Sequence, residues 1–145
     1  MRRTLCWSAV AGFSLIELMV VVAIISILLA VALPSYRNSV LAAGRAEGQS
    51  LLLQVASNQE QFYSANNSYS SNANPLSNPP VGTVVSVNGL YRVSVAACAG
   101  GNTKNCFLAT ANPQGRQTED VCTSLTISST GLKGASGASV ADCWR

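Results

Sequence analysis

A predominantly apolar run at residues 13–33 limits what this chain can fold into more than any other feature. A helix over this run is about 30 Å long, which matches the hydrocarbon core of a bilayer. Glu17 is the only ionisable side chain within it. A charged side chain in the bilayer interior costs roughly 2.5–3.5 kcal/mol on insertion scales, so a segment that only anchors a protein in the membrane is not expected to contain one. We expect Glu17 to be half of a charge pair; a protonated glutamate of no importance near the lipid interface is the alternative.

Charge and composition indicate an exported protein rather than a cytosolic enzyme. Arg2 and Arg3 precede the apolar run, which predicts that this end stays in the cytoplasm and that the remainder is exported. Charged residues make up only 10% of the 145-residue chain, and histidine is absent, which excludes imidazole-based catalysis and His-liganded metal sites. The net charge of +3 falls to +1 without the two arginines (3 − 2), so no strong attraction to nucleic acid is implied.

The remaining charged residues form no convergent site. Five scattered basic residues, with Tyr91 and Trp144 as nearby aromatics, offer at most a weak DNA- or surface-binding patch, and an ordinary solvated surface is favoured; they are Arg92, Lys104, Arg116, Lys133 and Arg145. Glu119 and Asp120 are adjacent and can touch a cation, but their pattern favours a solvated turn.

The pattern after the apolar run predicts an α+β domain. One helix, kinked at Pro34, is expected over residues 14–64, with Leu52, Val55 and Phe62 on its apolar face. Gly44 and Gly48 either weaken this helix or permit close backbone approach.

A loop is expected at residues 66–80, followed by strands at 89–95, 107–111 and 124–128. We expect an antiparallel sheet of three or four strands that packs on the outer half of the helix. Residues 132–145 are rich in Gly and Ser and would be irregular unless Cys143 tethers them.

An ordinary secretory signal is one interpretation of the N-terminus. Ala30-Val31-Ala32 fits the small-residue pattern of its cleavage site. Pro34 follows almost immediately, however, and Glu17 lies within what should be an apolar core, so this interpretation is disfavoured.

The stretch Gly12-Phe13-Ser14-Leu15-Ile16-Glu17-Leu18-Met19-Val20-Val21-Val22 resembles the class III signal of type IV pilins and pseudopilins. The resemblance implies that prepilin peptidase cuts between Gly12 and Phe13 and N-methylates Phe13. It divides the chain into a leader at 1–12, a transmembrane and assembly segment at 13–34, and a globular head at 35–145. Cys6 would leave with the leader.

Pro34 lies where this family has its helix-kinking proline, whereas Ser26 replaces the glycine of many pilins. Proline removes a backbone hydrogen bond, and a serine can loosen a helix further. The segment from Ser26 to Pro34 is therefore either a simple kink or a stretch that unwinds in the assembled fibre. An unbroken helix there in a cryo-EM structure of the fibre would contradict unwinding.

Residues 59–63 with Tyr69 resemble the aromatic end of the pilin helix and its following loop. Several C-terminal segments resemble minor pilins of the type IVa pilus, namely residues 120–122, 125–127, 131–137 and 142–144. The resemblance implies the type IV pilin fold and a structural, non-enzymatic subunit without cofactor or metal. Its expected partners are other pilin subunits, prepilin peptidase and the inner-membrane assembly platform.

The same resemblance implies a location in the inner membrane, with the head in the periplasm, and then in the cell-surface pilus. The fibre would serve motility, adhesion or DNA uptake. A major pilin, a type II secretion pseudopilin, and a pilus-tip adhesin or DNA-binding module remain alternatives. The acidic calcium-binding loop of the major pseudopilin is not found in this sequence.

Cleavage would give Glu17 a partner. The new α-ammonium at Phe13 stays positive after monomethylation, and in a stack of parallel helices it can pair with Glu17 of a neighbour. Removing one partner of such a buried pair costs about 3–5 kcal/mol. Glu17 would therefore favour assembly and set the register between subunits.

Four cysteines follow the apolar run, and they allow three disulfide connectivities. Cys122–Cys143 is preferred, because it pins the Gly/Ser-rich tail and resembles the C-terminal loop of pilins; closing about 20 residues contributes roughly 3 kcal/mol. Cys98–Cys106 then closes a Gly-rich hairpin. A zinc site is the rival, but the spacings are irregular and no Cys-x-x-Cys occurs.

Overall fold

The computed structural model describes residues 12–145, and the described chain divides into two compact units, residues 12–37 and 38–145. Helix α1 (Leu15–Asn66) runs without interruption through Pro34 and contributes to both units. Apart from Gly12, the predicted leader lies outside the described residues, as does Cys6.

The first unit is the apolar part of α1. Its large apolar side chains are exposed, and within the described residues α1 is the one helix long and apolar enough to cross a membrane by length and composition. The Ser26 hydroxyl donates a hydrogen bond of 2.7 Å to the Val22 carbonyl, a contact that often bends helices. The kink at Pro34 stays a prediction.

The second unit is built on a five-stranded antiparallel sheet with the strand order β1-β2-β3-β4-β5. A 3-10 helix (Gly115–Glu119) follows β3, and a single helical turn, α2 (Val140–Cys143), precedes the C-terminus. The strands are β1 (Thr83–Val85), β2 (Tyr91–Ala96), β3 (Leu108–Pro113), β4 (Ser124–Ser128) and β5 (Lys133–Ser136).

The expectation of three or four strands is wrong, because both edge strands were missed. Strand β1 has only three residues and no buried position. Strand β5 reads Lys-Gly-Ala-Ser, which lacks the β-branched and aromatic residues that mark strands. It pairs with β4 from Ser124↔Ser136 to Ile127↔Lys133, so part of the predicted irregular tail is a strand.

One face of the sheet packs on the outer half of α1 and forms the core. Strand β2 alternates buried and exposed residues, as expected when one face is covered. The predicted contacts of Leu52 and Val55 are present and both side chains are buried, whereas Phe62 is only partly buried and lies outside the core cluster. The main core residues are Leu51, Leu52, Val55, Tyr91, Val93, Phe107, Ala109, Leu125 and Ile127.

The two helix glycines permit close approach rather than merely weakening α1. Both are buried. A Cβ at Gly48 would lie 2.8 Å from the Tyr91 ring, and a Cβ at Gly44 would collide with the Gln117 side chain. Real Cβ atoms are not found that close to other atoms, so each position excludes any larger side chain unless the neighbour moves.

Replacing Gly48 with alanine should lower the free energy of unfolding by about 1 kcal/mol. Overpacking a core costs about 1–3 kcal/mol, and the roughly 1 kcal/mol that alanine gains in helix propensity offsets only part of it. Denaturant unfolding of the detergent-solubilised protein measures the change. Ser50→Ala, an exposed position on the same helix, should be neutral or slightly stabilising. A Gly48→Ala protein at least as stable as the parent would contradict the close packing.

Candidate functional site

The predicted assembly residues lie together at the start of α1. Phe13 precedes the helix and is 82% exposed, and Glu17 is in the first helical turn. Both line one shallow apolar depression together with Leu18 and Val21. This geometry places an acid and the predicted new N-terminal residue on one side of the helix, while their pairing between neighbouring subunits stays a prediction.

A bidentate ion pair joins α1 to the segment before Cys122. Arg45 donates to both carboxylate oxygens of Asp120, at 2.9 Å from Nε and 2.6 Å from Nη2. The two side chains are 15% and 2% exposed. The Gln117 amide donates to Asp120 and to the Leu41 carbonyl, each at 2.9 Å. We call Arg45, Gln117 and Asp120 the polar clamp.

The polar clamp holds Asp120 ionised. Burial by itself would raise the pKa of the Asp120 carboxyl, but the Arg45 hydrogen bonds and charge, the Cys122 N–H and the Gln117 amide outweigh it and lower that pKa. The Asp120 carboxylate correspondingly raises the pKa of Arg45. The expectation of a solvated turn at Glu119 and Asp120 is therefore wrong for Asp120, because a cation reaches it from a distant helix.

One end of the C-terminal loop, residues 122–143, is fixed to α1, and a disulfide joins it to the other end. The structure contains the disulfide Cys122–Cys143 with a Cα–Cα distance of 5.8 Å, and also Cys98–Cys106. Arg45 donates to the Asp142 carbonyl at 3.0 Å, and Gln49 donates to the Cys143 carbonyl at 2.7 Å. The loop is thus closed covalently and docked by hydrogen bonds.

Two of the candidate basic residues share one end of the sheet. Arg92, near the start of β2, pairs with Asn112 near the end of β3, and both are exposed. Arg116 is exposed on the 3-10 helix that begins at Gly115. Gln114, directly before this helix, donates its N–H to the carbonyl of Leu90, next to the start of β2, so Arg116 lies at the same end of the sheet. We call this the arginine end.

Two other basic residues lie at the opposite end, which we call the lysine end. Lys104 is in the connection from β2 to β3, and Lys133 pairs with Ile127 near the end of β4. The Lys133 ammonium is 4.8 Å from the centre of the Trp144 ring, a cation–π contact. Arg145 forms an exposed ion pair of 3.1 Å with Asp142.

The register between the strands therefore places the basic residues of the suggested binding patch at two opposite ends of the sheet. Of the two aromatic residues proposed for it, Tyr91 is fully buried, so it is unavailable to any ligand. Trp144 is half-buried, and its indole N–H donates to the Gly134 carbonyl at 2.9 Å. The five cations do not form one surface.

The turn between β1 and β2, residues 86–90, also belongs to the arginine end. The Asn88 backbone and side-chain amides each donate to the Glu47 carboxylate at 2.8 Å. A hydrogen bond from Ser86 is the largest cause that lowers the pKa of Glu47, with smaller contributions from Asn88 and from the charge of Arg116. No local sequence pattern predicts this link, since Glu47 and Asn88 are far apart along the chain.

Comparisons of the chain with known protein families and structures agree with this architecture. The family model described as "Type IV minor pilin ComP, DNA uptake sequence receptor" matches residues 34–126, well over half of the chain, and the prokaryotic N-terminal methylation motif matches residues 7–33. The chain belongs to the ComP family of type IV minor pilins. Membership confirms the predicted pilin family and the prediction that the protein is not an enzyme.

Two individual proteins are similar to this ComP-family chain. Fimbrial protein EcpC of Eikenella corrodens is 36% identical over 104 residues, and the match covers 72% of this chain and 64% of that protein, so the chain spans less than two thirds of this relative's length. A type IV pilin from Shewanella oneidensis has a TM-score of 0.52 at 23% identity, covering 72% of this chain and 98% of that one. The latter likeness confirms the predicted type IV pilin fold.

For this chain, pilus-assembly partners, prepilin peptidase and a location in the membrane or the pilus stay predictions. Among residues 12–145, no cluster of three or more His, Cys, Asp or Glu side chains could hold a metal ion.

Proposed function

We propose that the mature chain begins at Phe13, is assembled as a minor subunit into a type IV pilus, and binds duplex DNA at the arginine end. The match of residues 34–126 to the family described as a DNA uptake sequence receptor carries the DNA-binding part. The methylation motif at residues 7–33 supports the assembly part.

Assembly rests on the chemistry of Phe13 and Glu17. Prepilin peptidase would cut after Gly12 and methylate the Phe13 amine, which remains a cation. In a bundle of parallel helices this cation neutralises Glu17 of a neighbouring subunit, while the exposed apolar side chains of residues 13–33 supply the bulk contact. The subunit would leave the inner membrane, with its head in the periplasm, and enter the fibre through the assembly platform.

The arginine end is the better candidate for the DNA contact. Arginine matches phosphate and guanine with two parallel hydrogen bonds, whereas lysine acts as a point charge. Arg92 and Arg116 are exposed, and exposed Asn112 beside Arg92 adds a polar donor of the kind that contacts the DNA backbone. At the lysine end, Lys133 is already engaged with Trp144.

The double variant Arg92→Ala with Arg116→Ala should weaken binding of the detergent-solubilised mature protein to a short duplex by at least about tenfold. It should also reduce the steepness of the salt dependence by about two, because each lost phosphate contact removes about one unit of slope. Fluorescence anisotropy at several salt concentrations measures both quantities. Natural transformation frequency in the producing cell should fall in parallel.

The matched control is Lys104→Ala with Lys133→Ala, which removes the same charge at the lysine end. It should lower affinity less than threefold. Equal losses in the two double variants would show that binding follows net charge alone and would contradict the arginine end as the site.

A structural minor pilin that serves motility or adhesion without DNA binding is the second candidate. The low charge content favours it: without Arg2 and Arg3 the net charge is only +1 (3 − 2). Failure of the parent protein to bind duplex DNA at low salt, combined with normal incorporation into pili and a loss of twitching in a deletion strain, would select this candidate.

A further inference from the structure

Val87 protrudes from the arginine end and is not used by the fold. It is 98% exposed, more than any other large apolar side chain in residues 12–145. It occupies the turn between β1 and β2, and both adjacent strands pair with each other through Val84↔Val93. A branched apolar side chain at the tip of a strand pair contributes nothing to the core, and its apolar surface is available to a partner.

The turn that carries Val87 is held rigidly from several sides. The Ser86 N–H donates to the Tyr91 carbonyl at 2.9 Å, and the Tyr91 N–H donates to the Ser86 hydroxyl at 3.0 Å. The Gly89 N–H donates to the Ser86 carbonyl at 2.9 Å, and Gly89 has a φ of +72°, which favours glycine. Val87 is therefore presented in one orientation before any partner arrives.

Glu47 supports the same turn from the helix side. Its two carboxylate oxygens each accept a hydrogen bond of 2.8 Å from Asn88, so a residue of α1 fixes the position directly after Val87. A side chain that must penetrate a partner needs such support, because a loose turn would fold back instead of inserting.

The exposed arginines at the arginine end fit a polyanionic partner. Arg92 is the second residue of β2, a few residues after the tip, and Arg116 lies close enough to Glu47 to lower its pKa. Among the acids at this end, Glu47 is turned toward Asn88 and Asp120 is buried against Arg45, whereas Glu119, at the end of the 3-10 helix, is exposed. An apolar point at the same end of the sheet as two exposed arginines fits duplex DNA, whose phosphates surround an apolar stack of bases.

We propose that Val87 acts as a wedge that enters the groove of duplex DNA, partly unstacks one base step and bends the duplex. This inference rests on the DNA-binding function proposed above and adds how the protein engages the duplex. Proteins that insert apolar side chains between base steps kink DNA by about 20–90°, and flexible pyrimidine–purine steps open most easily. Arg92 and Arg116 hold the phosphates, and Val87 reads deformability rather than base edges.

The experiment measures binding and bending separately on the detergent-solubilised mature protein. A duplex with fluorophores at both ends reports bending by energy transfer, and 2-aminopurine at a central TA step reports unstacking. The parent protein should raise both signals. Val87→Ser should lose most of both signals while its affinity falls less than about tenfold, and Val87→Phe should keep or increase them.

Leu132→Ser is the matched control, since Leu132 is also exposed but follows β4 at the lysine end. It should leave affinity, bending and unstacking unchanged. A parent protein that binds the duplex through Arg92 and Arg116 without bending or unstacking it, or a Val87→Ser protein that bends DNA normally, would overturn the wedge and leave the proposed function intact. A parent protein that does not bind duplex DNA would overturn both.

Discussion

Replacing Glu17 with alanine should reduce incorporation of this subunit into pili by about 100-fold or more, while its amount in the inner membrane stays the same. The reason is the loss of one partner from a buried charge pair, which costs about 3–5 kcal/mol and leaves the Phe13 ammonium of a neighbour unneutralised. Immunoblots of sheared fibres and of membranes give the incorporated fraction. Mass spectrometry of the membrane form should still find the chain beginning at methylated Phe13.

Glu119→Ala provides the control, because it removes an exposed acid from the head instead of the membrane-proximal helix. It should enter fibres at the normal level. Glu17→Gln is a useful intermediate, since it keeps the shape of the side chain but not its charge, and it should resemble Glu17→Ala. Normal incorporation of the Glu17→Ala protein, once its N-terminal processing has been verified, would disprove the charge-pair mechanism.

Replacing Asp120 with alanine should lower the free energy of unfolding of the head by about 3–5 kcal/mol. The change leaves the guanidinium of Arg45, whose side chain is only 15% exposed, without its counter-ion, and unpaired buried charges are strongly destabilising. Denaturant unfolding of the detergent-solubilised protein measures the loss, and protease resistance of residues 38–145 reports it independently. Arg145→Ala removes a solvent-exposed ion pair with Asp142 and should cost less than about 1 kcal/mol.

The same pair makes the head sensitive to acid. The pKa of Asp120 lies below its ordinary value of 3.8, so its ionised form is favoured in the folded state. This contribution to stability is fully present above that ordinary value and is lost as the pH falls through the lowered pKa of the folded state. Asp120→Ala and parent proteins should therefore converge in stability at the acidic end of a pH titration. A constant difference across that range would exclude the ion pair as the cause.

The long helix and the central strands were predictable because their signals are local. Leu52 and Val55 recur at helical spacing, and β2, β3 and β4 contain the apolar residues of the core. The edge strands were not predictable in this way, because Lys133–Ser136 has no strand-like composition and pairs only because β4 and α2 lie beside it.

The candidate sites depended on information that no local pattern contains. Arg45 and Asp120 are 75 positions apart, so nothing in the sequence around Asp120 indicated that it would be buried. The pairing Arg92↔Asn112 determines which basic residues share an end of the sheet, and only the register between strands provides it. Gly44 and Gly48 can be recognised in the sequence. Whether they weaken the helix or permit close packing depends on Gln117 and Tyr91, which lie opposite them in the structure.

The C-terminal loop, residues 122–143, is held in two ways, by a disulfide and by hydrogen bonds to α1. The Cys122–Cys143 bond joins its two ends, and hydrogen bonds from Arg45 and Gln49 hold the Cys143 end on α1, so the turn between β4 and β5 is not needed to keep those ends together. Substitutions in that turn, for example at the exposed Thr130, should therefore leave the positions of Cys122 and Cys143 unchanged.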